Sequence, residues 1–491
     1  MSSPANLWPM LVVRTDSSHR IGLGHLSRCL TIARAWPGPV RFICRDLPGA
    51  ALHWLDEMPV NWLPAADDDG SWLTLPPLED AKQCLDVLAE IEPQPAILLV
   101  DHYGLNKQWQ QAILQQYPAL KLVCIDDLCR AHSCDLLIDT SLGRTPKDYA
   151  LPAWGKYFLG PAFVPLRPEF KPRAECGEPH QLLMSLGGID ANNDNLRLLE
   201  WLDSRAKTQG ITVTLAISRQ APHLEALQAF AKAHPWLTLA IDSQQMGNLM
   251  RQARLAIGAA GTSAWERCAC GLPTLQLVVA DNQRHNAESL ASAGVAINID
   301  GQDKNAFLAA FDELWQSQTL RKKMRQAALS LCDGQGTWRI IDALKTLTQK
   351  AVRLRPMTED DCQRLYRWQC EAGARTYSRN SAIPDWSEHQ AWFHRTLAAK
   401  GTKLWCIEQA QLPLGMLRLD WQSDDKAEVS ILLSAQARGK GLGLEALIQL
   451  QRMAWVTTLV AEVHPDNLAS QKLFLKAGFH ATGPRHYEVT P

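Results

Sequence analysis

Short apolar runs alternate with stretches in which apolar residues recur every three or four positions, and this alternation fills most of the chain. Leu11 to Val13 predicts a buried strand and Thr15 to Gly24 a polar, glycine-bearing loop. Leu26, Cys29, Leu30, Ile32 and Ala33 then follow helical spacing up to Pro37 and Gly38. Strands are expected at Val40 to Cys44, Ala96 to Val100, Lys121 to Ile125 and Leu136 to Asp139, and helices at Asp80 to Ile91 and Asn106 to Gln116. Strand–helix units in succession predict a parallel sheet covered on both faces. A proline-rich stretch from Pro161 to Pro172 interrupts the pattern, which then restarts. Strands are expected at Leu182 to Ser185, Thr212 to Ile217, Leu237 to Ile241, Leu255 to Gly258 and Leu275 to Val279, with helices between them and a mostly helical run from 304 to 348.

Near Lys350 the pattern changes. Val352 to Met357 reads as a strand and turn, Asp361 to Trp368 and His389 to Leu397 as helices, and Lys403 to Glu408, Gly415 to Leu419 and Glu428 to Leu433 as strands. A helix to about Trp455, a strand from Leu459 to Val463 and a helix from Asn467 to Lys476 follow. A chain of 491 residues exceeds one core. The expected division is a first Rossmann-like lobe at 1–165, a second at 166–348 and a smaller α/β domain at 349–491.

Charge and composition narrow the partners. A net charge of −1 leaves no electrostatic footprint for nucleic acid, and no stable membrane association is expected because the longest apolar runs are far too short to span a bilayer. The opening residues show no basic stretch followed by a long apolar one, so no leader is expected. The 13 cysteines include no Cys-x-x-Cys pair; Cys268 and Cys270 read as buried small residues, and Cys124, Cys129 and Cys134 lack a histidine at zinc spacing. No metal is expected, and a reduced cytoplasmic protein fits this usage. Asp67 to Gly70 reads as a solvated loop.

The first loop carries chemistry. Gly22 and Gly24 lead into a helix whose free N–H groups suit a phosphate, and His25 stands at its mouth. A positive helix end disfavours a second positive charge, which suits an imidazole base; capping or packing is the plainer alternative. Asp101, Tyr103, Asp126 and Asp127 follow strand ends and gather on the same edge, where a ligand or a helix cap would each account for them. Gly187-Gly188, then Gly261-Thr262 opening a helix that holds Glu266, then Asn282-Gln283 repeat the pattern in the second lobe.

Taken together, Arg14-x-Asp16-x-Ser18, Ile21-Gly22-x-Gly24-His25, Asp101-His102-Tyr103-Gly104, Asp126-Asp127, Gly187-Gly188-x-Asp190 and Asn282-Gln283 resemble the UDP-sugar hydrolases of pseudaminic acid biosynthesis, over residues 10 to 345. The resemblance implies a glycosyltransferase-type two-lobed fold of the GT-B kind. It implies His25 as catalytic base, Asn282 in the substrate site, Glu266 on the ribose, and contacts to the UDP-sugar from Gly22, Gly24, Asp101, Tyr103, Gly188, Gly261, Thr262 and Gln283.

In the last domain Leu433 ends a strand before Arg438, Gly439, Lys440, Gly441, Leu442 and Gly443, a second glycine cradle opening a helix. With Asn467, Phe474, Lys476, Gly478 and Phe479 downstream, residues 352 to 491 resemble the GCN5-related N-acetyltransferases. That implies acetyl-CoA as cosubstrate, its pyrophosphate on the backbone of 438 to 443, and Asn467 near the pantetheine or a relayed water. Phe474 replaces a tyrosine that many members use to protonate the thiolate, and it has no proton to give. The thiolate then leaves unaided, or Tyr487 supplies the proton, or the domain is inactive. Glu428 is the candidate base for the acceptor amine; a solvent-facing strand glutamate is the plainer alternative. The two resemblances fit consecutive steps on one UDP-amino-sugar: 4-N-acetylation of UDP-4-amino-4,6-dideoxy-N-acetyl-β-L-altrosamine, then release of UDP. The other readings are a glycosyltransferase of the same two-lobed fold with an appended acetyltransferase, a non-catalytic binding module, and a hydrolase of an isomeric amino-sugar pathway.

Overall fold

The computed structural model describes residues 8–18, 20–50, 52–65, 71–172, 180–187, 190, 192–453 and 457–491. Asp67 to Gly70, Gly188 and the end of the helix expected to reach Trp455 lie outside them. The first lobe is a seven-stranded parallel sheet of β1 (Leu11–Thr15), β2 (Val40–Arg45), β3 (Val60–Leu63), β4 (Ile97–Asp101), β5 (Lys121–Ile125), β6 (Leu136–Asp139) and β7 (Lys156–Leu159), in the order β3-β2-β1-β4-β5-β6-β7. Alternate residues of β1 serve different layers. Leu11 and Val13 pack with helix α1 (Gly24–Ala35), and Val12 packs with α2 (Pro77–Glu90) and α3 (Lys107–Gln116).

The second lobe repeats the plan. Strands β8 (Gln181–Ser185), β9 (Thr212–Ile217), β10 (Leu237–Ile241), β11 (Leu255–Ala259), β12 (Thr274–Leu277) and β13 (Ala296–Asn298) form a parallel sheet in the order β10-β9-β8-β11-β12-β13. Helices α4 (Asp194–Gln209), α5 (Leu224–Ala233) and α9 (Lys304–Gln316) cover one face; α6 (Met246–Gln252), α7 (Ser263–Cys270), α8 (Arg284–Ser292) and α10 (Gln318–Leu331) cover the other. Helix α11 (Gly336–Gln349) crosses back: its Ile340, Ile341 and Leu344 pack with Leu26 and Leu30 of α1. Residues 336 to 348, expected in the second lobe by their place in the chain, thus complete the core of the first.

The third domain is a mixed sheet, β14 (Arg353–Pro356), β15 (Thr402–Gln409), β16 (Leu412–Trp421), β17 (Lys426–Leu433), β18 (Thr458–Glu462), β19 (His480–Ala481) and β20 (His486–Val489), in the order β14-β15-β16-β17-β18-β20-β19. Helices α12 (Cys362–Gln369) and α13 (Trp386–Ala398) cover one face, α14 (Leu442–Arg452) and α15 (Leu468–Lys476) the other. Strands β14 to β17 form an antiparallel meander, and β17 with β18 is a parallel pair.

This domain docks on the first lobe through α14. Arg452 donates to Asp135 at 2.8 Å and to the Leu120 carbonyl at 3.0 Å, and Lys121 pairs with both Asp135 and Glu445. Lys121 opens β5 and Asp135 immediately precedes β6, so the contact lies at the N-terminal edge of the sheet.

Candidate active sites

In the first lobe the strand ends and one open helix end meet. Ser18 Oγ accepts from the Ile21 and Arg20 N–H groups, closing the loop, and Gly22 adopts φ +72°, a left-handed turn that suits glycine. No side chain caps α1 at Leu23, so its first N–H groups are left without a side-chain cap at this edge of the sheet. His25, in the first turn, places Nδ1 2.6 Å from Asp101 Oδ1 at the end of β4. Arg28, one turn along, clasps the same carboxylate through Nε and Nη2, the latter at 2.7 Å, and reaches Asp127 at 3.5 Å. Burial would raise the Asp101 carboxyl, but the charge of Arg28 and the contact with His25 override it and hold it well below the usual carboxylate range. A carboxylate accepting from Nδ1–H leaves Nε2 as the basic nitrogen.

An aromatic wall stands beside it. Tyr103 meets the His25 ring edge-on at 4.5 Å, and Trp72 meets Tyr103 at 4.8 Å. Burial, then the neighbouring Asp127, push the Tyr103 phenol well above its usual value, so it remains a hydrogen-bond donor at neutral pH. Beneath the site lies a buried ionic lattice: Arg14 pairs with Asp16 at 2.5 Å and Asp80 at 2.9 Å, Arg45 reaches Asp80 at 2.7 Å, and Trp109 Nε1 donates to Asp80 at 2.9 Å. Asp80, which burial alone would raise, is lowered to about 2 by these arginines, and burial lowers His102 to about 4. Arg14 and Asp16 of the sequence motif thus hold the loop in place from below. Asp126 is occupied by Arg130 and His132, whereas Asp127 faces Arg28.

The second lobe offers its own glycine turn. A Cβ on Gly261 would stand 3.4 Å from the Gln283 amide, so turn and Gln283 are adjacent. Thr262 provides no side-chain cap to α7. Glu266, half-buried in α7, has its carboxyl raised by burial to about 7 despite Arg167 and Arg267 nearby. The backbone of Asn282 lies in a single tight turn from Asp281 to Gln283. Asp190 caps α4, accepting from the Asp194 and Asn195 N–H groups. An open cavity of about 770 Å³, lined by Asp46, Leu55, Trp62 and Pro64, lies at the free edge beside β3 and includes none of the candidate residues.

In the third domain the sheet forks. Strands β17 and β18 pair only from Lys426 to Glu428 against Thr458 to Val460, after which β17 continues to Leu433 beside β16 alone. The fork opens toward the α14 N-terminus, where Gly439 and Gly441 adopt φ +75° and +83° and no side chain caps the helix. An uncapped helix end behind a glycine turn fits the pyrophosphate of a coenzyme A thioester, and the unpaired strand edge fits its amide-bearing arm. Gly443 serves packing: a Cβ there would sit 3.3 Å from Leu433 and Leu473. Leu442 is buried and Lys440 and Lys476 are exposed. Arg438 is exposed and donates to the Leu433 and Ala372 carbonyls. Asn467 caps α15, accepting from Ser470 N at 3.1 Å. Phe474 is buried against Phe479 and near Tyr487, itself buried. Glu428 stands at the crotch of the fork.

Arg28, Trp72, Arg379 and Glu462 join these sites without a sequence signal having singled them out. Arg28 could have been found, three residues after His25 and on its face of the helix. Trp72 and Arg379 come from irregular segments and could not. Among the described residues no group of three or more metal-ligating side chains occurs, and no helix is long and apolar enough to cross a membrane.

Residues 351–480 match the Acetyltransferase (GNAT) domain family, and residues 198–332 match the Glycosyltransferase family 28 C-terminal domain. The chain is 26% identical to the UDP-2,4-diacetamido-2,4,6-trideoxy-beta-L-altropyranose hydrolase of Campylobacter jejuni, across 58% of this chain and 98% of that protein. An uncharacterized protein of Methanocaldococcus jannaschii is similar over 96% of this chain and 97% of its own length, at 20% identity. The crystal structure of Acinetobacter baumannii MurG aligns with 69% of this chain and 99% of its own, with a TM-score of 0.50 at 15% identity, a likeness of fold. The molecule is thus a hydrolase-like region of two Rossmann-type lobes in the MurG-like GT-B arrangement, followed by a GNAT acetyltransferase domain.

Proposed function

We propose that the chain is a bifunctional nucleotide-sugar enzyme of pseudaminic acid biosynthesis. The acetyltransferase domain moves the acetyl group of acetyl-CoA onto the 4-amino group of UDP-4-amino-4,6-dideoxy-N-acetyl-β-L-altrosamine. The two-lobed region then hydrolyses UDP from the product, the substrate named for its Campylobacter jejuni relative. The observation that carries this reading is the His25–Asp101 pair at an open helix end, inside a region similar to that hydrolase over nearly the whole of its length.

His25 Nε2 takes a proton from a water that attacks the anomeric carbon; the glycosidic C–O bond breaks and UDP leaves with the electron pair. Asp101 holds the ring and balances the imidazolium. Backbone N–H groups around Gly22 and Gly24 face one side of the leaving diphosphate, and Gly261, Thr262 and Glu266 hold the nucleotide from the second lobe. A diphosphate so held needs no strong general acid. In the acetyltransferase domain Glu428 accepts one proton from the acceptor ammonium, the nitrogen attacks the thioester carbonyl, the C–S bond breaks, and the sulfur leaves with the electron pair and takes the second proton the nitrogen sheds. The helix end at Gly441 holds the pyrophosphate of acetyl-CoA. Phe474 takes no part in proton transfer. The buried free cysteines suit a reducing compartment, and the reading places the enzyme in the cytoplasm.

In this reading the two sites work separately. His25 is at the C-terminal edge of the first sheet, and the acetyltransferase docks at the N-terminal edge through Asp135 and Lys121. The acetylated sugar leaves one site before it enters the other.

A two-product assay tests the reading. The purified chain is given the amino sugar with and without acetyl-CoA, and free thiol and free UDP are followed separately. Thiol release, followed by UDP release only when acetyl-CoA is present, is the expected outcome. UDP release from the diacetamido sugar with no thiol from the amino sugar would leave a hydrolase with an idle C-terminal domain. Absence of both products would overturn the reading.

A further inference from the structure

At the crotch of the fork two carboxylates converge on one arginine. Glu428 on β17 pairs in register with Val460, and Glu462 lies two residues further along β18, so both side chains stand on the same face of the sheet. Arg379, from the segment between α12 and α13, spans them. Its Nη2 donates to Glu428 Oε1 at 2.6 Å, and its Nε donates to Glu462 Oε2 at 2.8 Å. Among the described residues the only further partner of either carboxylate is Gln422, 3.4 Å from Glu428.

Exposure divides the group unevenly. The side chains of Glu428 and Glu462 are 18% and 30% exposed, while that of Arg379 is 65% exposed. The anions are built into adjacent strands, and the cation reaches over them from solvent on an irregular segment. An exposed ion pair of this kind is weakly held and exchanges readily.

We propose that Glu428 and Glu462 are the seat of the acceptor's ammonium group, and that Arg379 fills that seat until the substrate displaces it. The inference rests on the acetyltransferase reading above and adds two residues to it, Glu462 as a binding carboxylate and Arg379 as an internal stand-in cation. The entering ammonium replaces the guanidinium between the two carboxylates. One proton passes to Glu428, and the freed nitrogen lone pair forms the N–C bond to the thioester carbonyl. The C–S bond breaks, and the sulfur leaves with the electron pair and takes the second proton that the nitrogen sheds as the amide forms. The amide product carries no charge, so it loses its hold on the seat and Arg379 returns. Amine acetylation thereby drives its own product release.

The test measures acceptor KM and kcat for thiol release by the full-length chain, wild type against Arg379→Ala, Arg379→Lys and Glu462→Gln. Removing the internal competitor lowers KM by about fivefold in Arg379→Ala. Arg379→Lys, which keeps a cation on the segment, stays near wild type. Glu462→Gln raises KM by about tenfold, with a smaller change in kcat. The sign separates this role from a structural one, because a damaged site raises KM in every variant. A raised or unmoved KM in Arg379→Ala, or an unmoved KM in Glu462→Gln, overturns the proposal. If the wild type releases no thiol with the UDP-amino-sugar but does so with a simpler primary amine, the proposed acceptor fails. The same variants measured on that amine then decide the seat. Failure with every amine overturns the seat as well.

Discussion

Asp101 and Glu428 are both carboxylates at the working edge of a sheet, and each is met by an arginine, yet their settings differ. The Asp101 side chain has no exposed surface, and its partners Arg28 and His25 are 14% and 7% exposed. At Glu428 the partner arginine lies mostly in water. A buried ion pair cannot part without stranding a charge, so the His25–Asp101–Arg28 geometry is set before any ligand arrives. An exposed pair parts at little cost, so the acetyltransferase site can trade its own cation for another. The difference follows the proposed chemistry: hydrolysis needs one water held in one orientation, whereas the transferase must admit a charged substrate.

The largest test of the rigid side is His25→Asn. It is expected to lower UDP release from the diacetamido sugar by about 10²–10⁴-fold while thiol release from the amino sugar persists. Wild-type turnover of UDP release would break the assignment. Asp101→Asn sharpens the same point. It removes the charge that orients Nδ1 and balances the imidazolium, and a loss of about 10²-fold in kcat with a smaller change in KM is expected. If kcat holds and only stability falls, Asp101 is a scaffold for Arg28 rather than a partner of the base.

Stability measurements extend the comparison beyond the sites. Arg452 and Asp135 are each 5% exposed at the domain interface. Arg452→Ala leaves Asp135 with Lys121 as its cation beside the Leu122 N–H, and a loss of about 3 kcal/mol in denaturant unfolding is expected. The exposed Arg379→Ala is expected to change stability by less than about 1 kcal/mol. Equal effects would erase the distinction between the two kinds of pair.

The smallest expected effect concerns a second carboxylate of the hydrolase region. Burial raises Glu266 to about 7, so below that pH it is largely protonated and accepts poorly from ribose hydroxyls. Affinity for uridine should therefore rise severalfold between pH 6 and pH 8, and Glu266→Gln should flatten the profile. Isothermal titration across that range checks it. An unchanged slope in the variant would detach Glu266 from the ribose.

Much of the architecture was legible because parallel strands buried on both faces read as continuous apolar runs, and covering helices keep their own period. The exceptions are instructive. β3, β7 and β13 are short and sit on or near sheet edges, where Lys156 and Asn61 dilute the apolar signal. Helix α11 reads as an ordinary amphipathic helix, and nothing in its pattern says which lobe its apolar face will meet. Within the sites, His25 and the glycine turns stand out because open helix ends and left-handed backbone demand particular residues. Trp386, at the start of α13, is 39% exposed, since one aromatic residue in a helix does not reveal which neighbours arrive to cover it.

Periodicity and local backbone chemistry are properties of neighbouring residues, so the chain itself determined its strands, helices, glycine cradles and the residue types at their mouths. Partnership across long separations was decided only by the tertiary structure. Asp101 joins His25 over 76 positions, Glu428 meets Arg379 over 49, and Asp135 meets Arg452 over 317. Whether each pair is pinned or free to exchange depends on how much water the packed elements leave around it, because the cost of separating two charges is set by their surroundings rather than by their identities.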